Sequence, residues 1–264
     1  TRYSSSAASD VYKRQMSSII ATLANLFKSN NSDSFKDFLR DLTDELHNEL
    51  GFEVKKDEEL EIKEVRDTIN KLRAKNLDDD AFIKKFSDIF KENKMESISE
   101  GTFFSSILFI SALDETNKIE TFLEKFENAE SPQMQGRYRA VLGQVRDQNA
   151  SKKIVEFMLD GRIRGADCPY ILASMITNKY IGKKSWKVIK ENFNDLLSVM
   201  PDWTASRILD ALPAIYDEEF AGDIKNFIKK NPLPSSEKLA AQKLERLEAN
   251  IEFMDNLKEV NNET

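Results

Sequence analysis

The sequence contains one cysteine, Cys168, and one histidine, His47, in 264 residues. A zinc site takes three or four ligands that are usually His or Cys, and this chain's own His and Cys cannot supply them. A Ser-His-Asp or Cys-His catalytic centre would have to use His47. A disulfide framework within one chain is excluded, and the lone cysteine weakly favours a reducing compartment.

Glycine and proline are also scarce, with 8 and 6 residues. Average usage is about 7% and 5% of a chain, roughly twice what this sequence holds. Sheet-rich proteins need many turns, and turns depend on these two residues. The shortage therefore favours a helical fold.

The composition also excludes several classes of protein. Hydrophobic residues make up 40% and charged residues 32% of the chain, which is too apolar for a disordered protein and too polar for a membrane protein. No run of about 18 apolar residues occurs, so the sequence predicts no membrane span. The net charge of −7 disfavours a nucleic-acid partner.

The first fifteen residues differ from the rest of the chain. They are rich in serine and alanine, lack the apolar centre of a secretory signal, and precede Met16. The segment is similar to translated cDNA-library adaptor. We therefore expect a non-native, disordered tail over 1–15 and a single domain over 16–260. The native chain would then begin at Met16 or extend upstream of it.

From Ser17 onward, apolar residues recur at steps of three and four, the spacing of one helix face. One such stripe consists of Phe35, Phe38, Leu39, Leu42, Leu46 and Leu50. The pattern predicts helices near 17–29, 34–50, 62–76, 78–93, 98–112, 116–128, 132–145, 150–160, 166–178, 183–199, 203–213, 217–230 and 236–257.

Similar stripes return about every 34 to 40 residues, the length of a helix-turn-helix repeat. Their first residues are Phe86, Ile119, Ile154, Trp186 and Ile224. Polar turns between them carry Asp and Asn, which can cap the following helix. Because one repeat cannot bury its apolar face alone, we predict an all-α, HEAT/armadillo-like α-solenoid of paired antiparallel helices.

Few side chains are candidates for chemistry. His47 could act as a general base, but its place on a half-apolar helix favours packing or a surface role. Trp186 and Trp203 could line a ligand cage, but their helical spacing favours the core. The lysines between 179 and 190 could contact phosphates, but they are typical of a solvated helix face.

Arg207 is a different case, because it lies inside a predicted helix between Trp203 and Leu209. We expect the stem of its side chain to be partly buried. A guanidinium near an apolar interior requires a carboxylate partner. That partner is either internal or belongs to a bound peptide.

Several segments carry a resemblance through their order and spacing. They are Leu50-Gly51-Phe52, Ile163-Arg164-Gly165-Ala166-Asp167, Asn178-x-x-x-Gly182-x-x-x-Trp186, Glu191-Asn192-Phe193-x-x-Leu196, Ser206-Arg207-Ile208, Asn231-Pro232-x-Pro234-x-x-Glu237 and Gln242-x-x-Glu245-x-x-Glu248-x-Asn250-x-x-Phe253. Together they resemble the C-terminal helical domain of gluzincin zinc aminopeptidases, of the puromycin-sensitive and endoplasmic-reticulum aminopeptidase type. The chain departs from the family's Arg-x-Gln-Asp at 164–167 and from its Asn-Trp at 192–193.

The resemblance implies a C-terminal fragment of a zinc aminopeptidase that removes N-terminal residues from peptides. In that family the helical domain forms a bowl over the catalytic domain and encloses the peptide. The His-Glu-x-x-His motif is not in this sequence, so zinc is expected in a missing catalytic domain and this chain alone is expected to be inactive. Arg207 and Arg164 are the implied peptide-binding residues.

The expected partners are a peptide substrate and the protein's own N-terminal catalytic domain. A cytoplasmic location is favoured over the endoplasmic reticulum lumen or the cell surface. The alternative is a stand-alone HEAT-like scaffold that binds peptides or proteins. Function is decided by sites and not by fold alone, so both readings stay open at this point.

Overall fold

The computed structural model describes residues 33–55, 57–92, 101–233 and 236–262. For residues 34, 102 and 257–262 it describes the backbone only. The described residues form thirteen α-helices and one 3₁₀-helix, with no strand among them, which confirms the all-α prediction. The predicted tail over 1–15 and the predicted helix over 17–29 lie outside the described residues.

The helices are numbered in chain order. They are α1 (Asp33–Leu50), α2 (Leu60–Asn76), α3 (Asp80–Lys91), α4 (Thr102–Ala112), α5 (Ile119–Glu127), α6 (Pro132–Leu142), α7 (Ala150–Leu159), α8 (Cys168–Ile176), α9 (Gly182–Glu191), α10 (Phe193–Val199), α11 (Asp202–Ala205), the 3₁₀-helix (Ser206–Ala214), α12 (Glu218–Lys230) and α13 (Glu237–Asn262).

Two predicted helices differ from the structure. The single helix expected over 183–199 is two helices, because Asn192 ends α9 and begins α10 with a φ of −115° and a ψ of 17°. The helix expected over 203–213 is one turn of α-helix followed by the 3₁₀-helix. A 3₁₀ run of 9 residues is long, since such runs rarely exceed about four residues.

The chain divides into two compact units, with the boundary between Asp114 and Glu115. We call them the first unit, which contains α1 to α4, and the second unit, which contains the remaining helices. That residues 16–260 form a single domain stays a prediction.

In the first unit, α1 packs on α2, and α4 packs on both α2 and α3. Phe35 and Leu39 of α1 are buried with Leu77, which follows α2. On α3, Phe82 and Phe86 lie in edge-to-face contact, with ring centroids 5.2 Å apart. These apolar contacts occupy the helix faces that the spacing of three and four residues predicts.

A buried ion pair holds the loop that connects α1 to α2. Arg66 of α2 is only 2% exposed, and its guanidinium donates two hydrogen bonds to the carboxylate of Glu58. Its Nε donates to the carbonyl oxygen of Leu50 at the end of α1, at 3.2 Å. The Glu58 carboxyl has a pKa below its usual value, chiefly because Arg66 bonds its charged form.

The second unit consists largely of two rows of helices. Helices α5, α7 and α9 contact one another in sequence, and so do α6, α8, the 3₁₀-helix and α13. The last helix of the first row, α9, also packs on α8. Pairs of helices stacked on neighbouring pairs are what a helix-turn-helix repeat predicts. The solenoid over the whole chain stays a prediction.

Polar ties in the second unit connect positions about one repeat apart. The buried hydroxyls of Ser151 and Ser185, 34 residues apart, are hydrogen-bonded at 2.7 Å. Lys190 pairs with Asp223, 33 residues away, at 2.5 Å. The indole N–H of Trp186 donates to the same carboxylate at 3.0 Å, across 37 residues. The separations agree with the repeat seen in the sequence.

We expect Arg66→Met to destabilise the first unit by about 3 to 5 kcal/mol, since it leaves the buried Glu58 carboxylate without its partner. Chemical denaturation of the full chain, followed by circular dichroism, would measure the loss. Arg40→Met is the matched control, because Arg40 pairs with Asp37 at 2.7 Å on the exposed side of α1. That variant should change stability by less than about 1 kcal/mol, and an equal effect of both changes would contradict the assignment.

Candidate functional site

Arg207 lies on the exposed edge of the 3₁₀-helix. A 3₁₀-helix has about three residues per turn, so residues i and i+3 stand directly above one another. Arg207 therefore reaches Asp210, with Nη1 and Oδ2 3.7 Å apart. The other oxygen of Asp210 accepts from Lys243 of α13 at 3.0 Å. Two cations share one carboxylate here, which leaves this edge with a net positive charge.

The Arg207 side chain is 51% exposed. The buried face of the 3₁₀-helix is formed instead by Ile208, Leu209 and Leu212. The sequence predicted a partly buried stem with a carboxylate partner, and an internal partner is present. Because the pair is exposed and loose, it leaves the guanidinium available to an incoming anion.

Trp203 corrects one sequence prediction. It was expected in the core but is 75% exposed, whereas Trp186 is buried as expected. The reason is the shortness of α11, which buries Thr204 and Ala205 and leaves Trp203 on the outside. Trp203 precedes Arg207 by four residues, and both side chains are exposed.

Arg164 lies in the turn before α8. Its Nε donates to Oδ2 of Asp167 at 2.9 Å, and the side chain is 77% exposed. The other oxygen, Oδ1, accepts from Nη1 of Arg139 on α6 at 2.5 Å. Asp167 therefore holds two guanidinium groups, one from its own turn and one from the neighbouring helix.

Arg139 is not among the site residues that the sequence predicts. It is 28 residues from Asp167, and it follows the buried Tyr138 on α6. The only available signal was a cation within an otherwise apolar stretch from Tyr138 to Leu142. The role of such a residue in a site cannot be assigned until the fold shows which side chain it pairs with.

A close contact fixes the position of this turn. A Cβ on Gly165 would overlap the carbonyl oxygen of Val199, which precedes the loop to α11. Glycine is therefore required for the turn to approach α10 so closely. The same Cβ would also come within 3.4 Å of Pro201 Cδ.

A half-open cavity of about 380 Å³ lies beside the Asp167 cluster, lined by Arg139, Ala140, Gly143, Asp167, Tyr170, Ile171 and Ser174. At its wall, Ser174 Oγ accepts a hydrogen bond from Gln144 Nε2 at 2.5 Å. Tyr170 is largely exposed at the rim. The cavity thus combines guanidinium and hydroxyl groups with an aromatic edge, a mixture suited to a polar ligand with an apolar part.

The structure places the two predicted arginines in separate clusters. Arg164 is bound to Asp167 and Arg207 to Asp210. Helix α8, which follows Asp167, packs against the 3₁₀-helix. The two clusters therefore belong to adjacent helices of one row.

Of the other candidates, His47 lies in the first unit, and Trp186, Trp203 and the lysines between 179 and 190 lie in the second. Within the described ranges, no group of three or more His, Cys, Asp or Glu is placed to hold a metal ion. Lys183 and Lys190 of the basic segment pair with Asp217 and Asp223, which reduces its positive charge. In the described part of the chain, none of the helices has the length and apolarity to cross a membrane.

One family model matches most of the chain. The family model described as the ERAP1-like C-terminal domain matches residues 2–249. The chain belongs to this family. The match includes most of the predicted tail over 1–15, whose non-native origin stays a prediction.

Membership of the ERAP1-like C-terminal domain family confirms the resemblance found in the sequence. It relates the chain to the C-terminal helical domain of aminopeptidases. In this ERAP1-like C-terminal domain, the Arg207 edge and the Asp167 cluster are two exposed cationic features of the 3₁₀-helix row.

We expect Gly165→Ala to destabilise the protein by about 1 to 3 kcal/mol, because its Cβ would displace the Val199 carbonyl. Gly136→Ala is the control. Gly136 lies inside α6 with open space around it, so alanine there should be neutral or stabilise by up to about 1 kcal/mol. Thermal unfolding would compare the two. Equal shifts would show that the turn at 164–167 tolerates a side chain.

Cys168 should be unreactive in the folded protein. Burial, aided by the charge of Asp167, raises the pKa of the thiol to about 12, and the thiolate is the reactive form. We expect no modification by a maleimide reagent at pH 8 until denaturant is added, followed by one adduct per chain in a mass spectrum. Rapid labelling of the native protein would contradict this placement, and Cys168→Ala provides the blank.

Proposed function

We propose that this chain is the C-terminal helical part of a zinc aminopeptidase and contributes the wall that contacts the peptide substrate. The family match over residues 2–249 is the observation that carries the proposal. The catalytic zinc, expected in the preceding domain, lies outside this chain, so the chain alone should not hydrolyse peptides. The role in enclosing the substrate and the cytoplasmic location are parts of the proposal.

Arg207 is proposed to bind a carboxylate of the peptide. Its partner Asp210 is shared with Lys243 and the pair is exposed. An incoming carboxylate can therefore accept from the guanidinium without first breaking a buried salt bridge. A guanidinium presents a planar set of donors that matches a carboxylate, and such charge-assisted bonds are the stronger class of hydrogen bond.

Arg164 is proposed as a second contact, next to the cavity that Arg139 and Asp167 line. Its side chain is mostly in solvent, and Asp167 already has a second cation in Arg139. The cluster of two arginines and one aspartate therefore retains one uncompensated positive charge. A peptide with an acidic group and a neighbouring apolar side chain would match the cavity's charge and its aromatic rim.

The peptide-contact role predicts a loss of affinity when Arg207 is neutralised. Fluorescence anisotropy with a labelled peptide that has a free C-terminal carboxylate would measure binding. Arg207→Met should weaken it roughly tenfold or more, the usual loss for a hydrogen bond to a charged group. Arg40→Met is matched, because Arg40 also pairs with an aspartate three residues away on an exposed helix. Equal affinity of the two variants would remove Arg207 from the site.

Catalysis provides the second test. The purified chain should not hydrolyse aminoacyl-amide substrates with or without added zinc, and robust metal-dependent hydrolysis would overturn the proposal. Sequencing the native message upstream of Met16 separates the two readings of the chain. A frame that continues into His-Glu-x-x-His supports the aminopeptidase. An in-frame stop before Met16 would favour the stand-alone peptide-binding scaffold.

A further inference from the structure

His47, the one histidine of the sequence, lies in the last turn of α1 against α3. Its ring and the ring of Phe82 form a T-shaped contact, with centroids 5.4 Å apart and planes at 76°. Its Nδ1 atom is buried and has no hydrogen-bond partner. A neutral ring nitrogen can be buried against an aromatic ring at modest cost, but a charged imidazolium needs acceptors for both of its N–H groups.

The charges around His47 come from three helices. Arg73 of α2 and Lys85 of α3 oppose a positive imidazolium, whereas Asp44 of α1 and Asp79, at the start of α3, favour it. Asp44 is already engaged, because its Oδ1 accepts from Arg73 Nη1 at 2.5 Å. The helix C-terminus also favours a cation. Burial and the two cations outweigh these effects and hold the pKa of His47 below its ordinary value.

We propose that His47 makes the first unit acid-responsive: uptake of one proton at the imidazole loosens the contact between α1 and α3. The imidazolium would carry an N–H on the buried Nδ1, which has no acceptor. This unsatisfied donor is relieved when the end of α1 moves away from α3 and Nδ1 reaches water. The inference does not depend on the proposed peptide-binding function.

The direction of the effect follows from proton linkage. A histidine in an unfolded chain has a pKa near 6.5, and the folded value is lower. The loosened state therefore binds the proton more tightly. His47's contribution to stability is complete above pH 6.5 and is lost as the pH falls towards the folded pKa. A single proton changes the opening equilibrium by at most about tenfold per pH unit.

The aromatic side chains would carry the disturbance through the first unit. Phe82 contacts Phe86 at 5.2 Å, and Phe86 contacts Phe52 at 5.7 Å and Phe103 at 6.2 Å. These rings connect α3 with α4 and with the loop after α1. A movement of Phe82 would therefore shift the neighbouring rings in α3, α4 and the loop after α1. His47 is the one histidine of the sequence, so no other imidazole there would respond to pH.

The experiment uses the full chain and hydrogen exchange followed by mass spectrometry between pH 7.5 and 5.0. We expect the protection factors of α1 and α3 to fall across this range, while those of the second unit remain unchanged. The chain supplies an internal reference, because both tryptophans, Trp186 and Trp203, lie in the second unit. Their fluorescence should stay constant as the first unit loosens.

His47→Gln should remove the pH dependence, since glutamine does not titrate, and its protection factors at pH 5.0 should match those at pH 7.5. NMR of the single imidazole gives an independent readout, in which the folded pKa should lie below 6.5. Lys85→Met, which removes one opposing cation without touching the Arg73–Asp44 pair, should raise that pKa. A folded pKa at or above 6.5, or an unchanged pH dependence in His47→Gln, would overturn the proposal.

Discussion

The side chain of Asn178 joins the backbone that follows α6 to the backbone that follows α8, and the candidate cavity lies between these two helices. This buried amide donates to the carbonyl oxygens of Gly143 and Val145, at 3.1 and 3.2 Å, and accepts from the N–H of Tyr180 at 3.0 Å. Gly143 then lies against Ser174, where a Cβ would come within 2.6 Å of the serine side chain. Helices α6 and α8 are thereby brought close enough for Arg139 to reach Asp167. The cavity exists because an amide, a glycine and a serine fix this approach.

Most of the helices could be predicted from the sequence, because the apolar stripes of α3, α5 and α7 coincide with their buried faces. The errors arose where local geometry changed without a change in the apolar pattern. Nothing in the spacing around Asn192 signals a break, since apolar residues continue on both sides. The 3₁₀ stretch keeps a helical pattern as well, and Trp203 reaches solvent only because α11 is a single turn. Periodicity identifies a face, but it does not report how tightly the backbone is wound.

Only some residues of the candidate site could be predicted from the sequence. Arg207 and Arg164 were found through ordered motifs, and the structure gives each of them a carboxylate at i+3. Arg139 could not be found, because its role exists only through Asp167, 28 residues later. The same limit applies to His47, whose environment is set by Arg73 and Phe82 from other helices. The chemistry of a side chain that depends on contacts with distant residues can be assigned only when the fold is known.

The ties between repeats also bear on how the chain is made. Ser151–Ser185, Asn178–Gly143 and Lys190–Asp223 join residues 34, 35 and 33 apart. Contacts of such short range close small loops, which favours fast folding. A ribosome adds roughly 5 to 20 residues per second, so the partner of each tie emerges within about 2 to 7 seconds. The second unit can therefore assemble repeat by repeat during synthesis, with each new helix pair completing the surface left by the one before it.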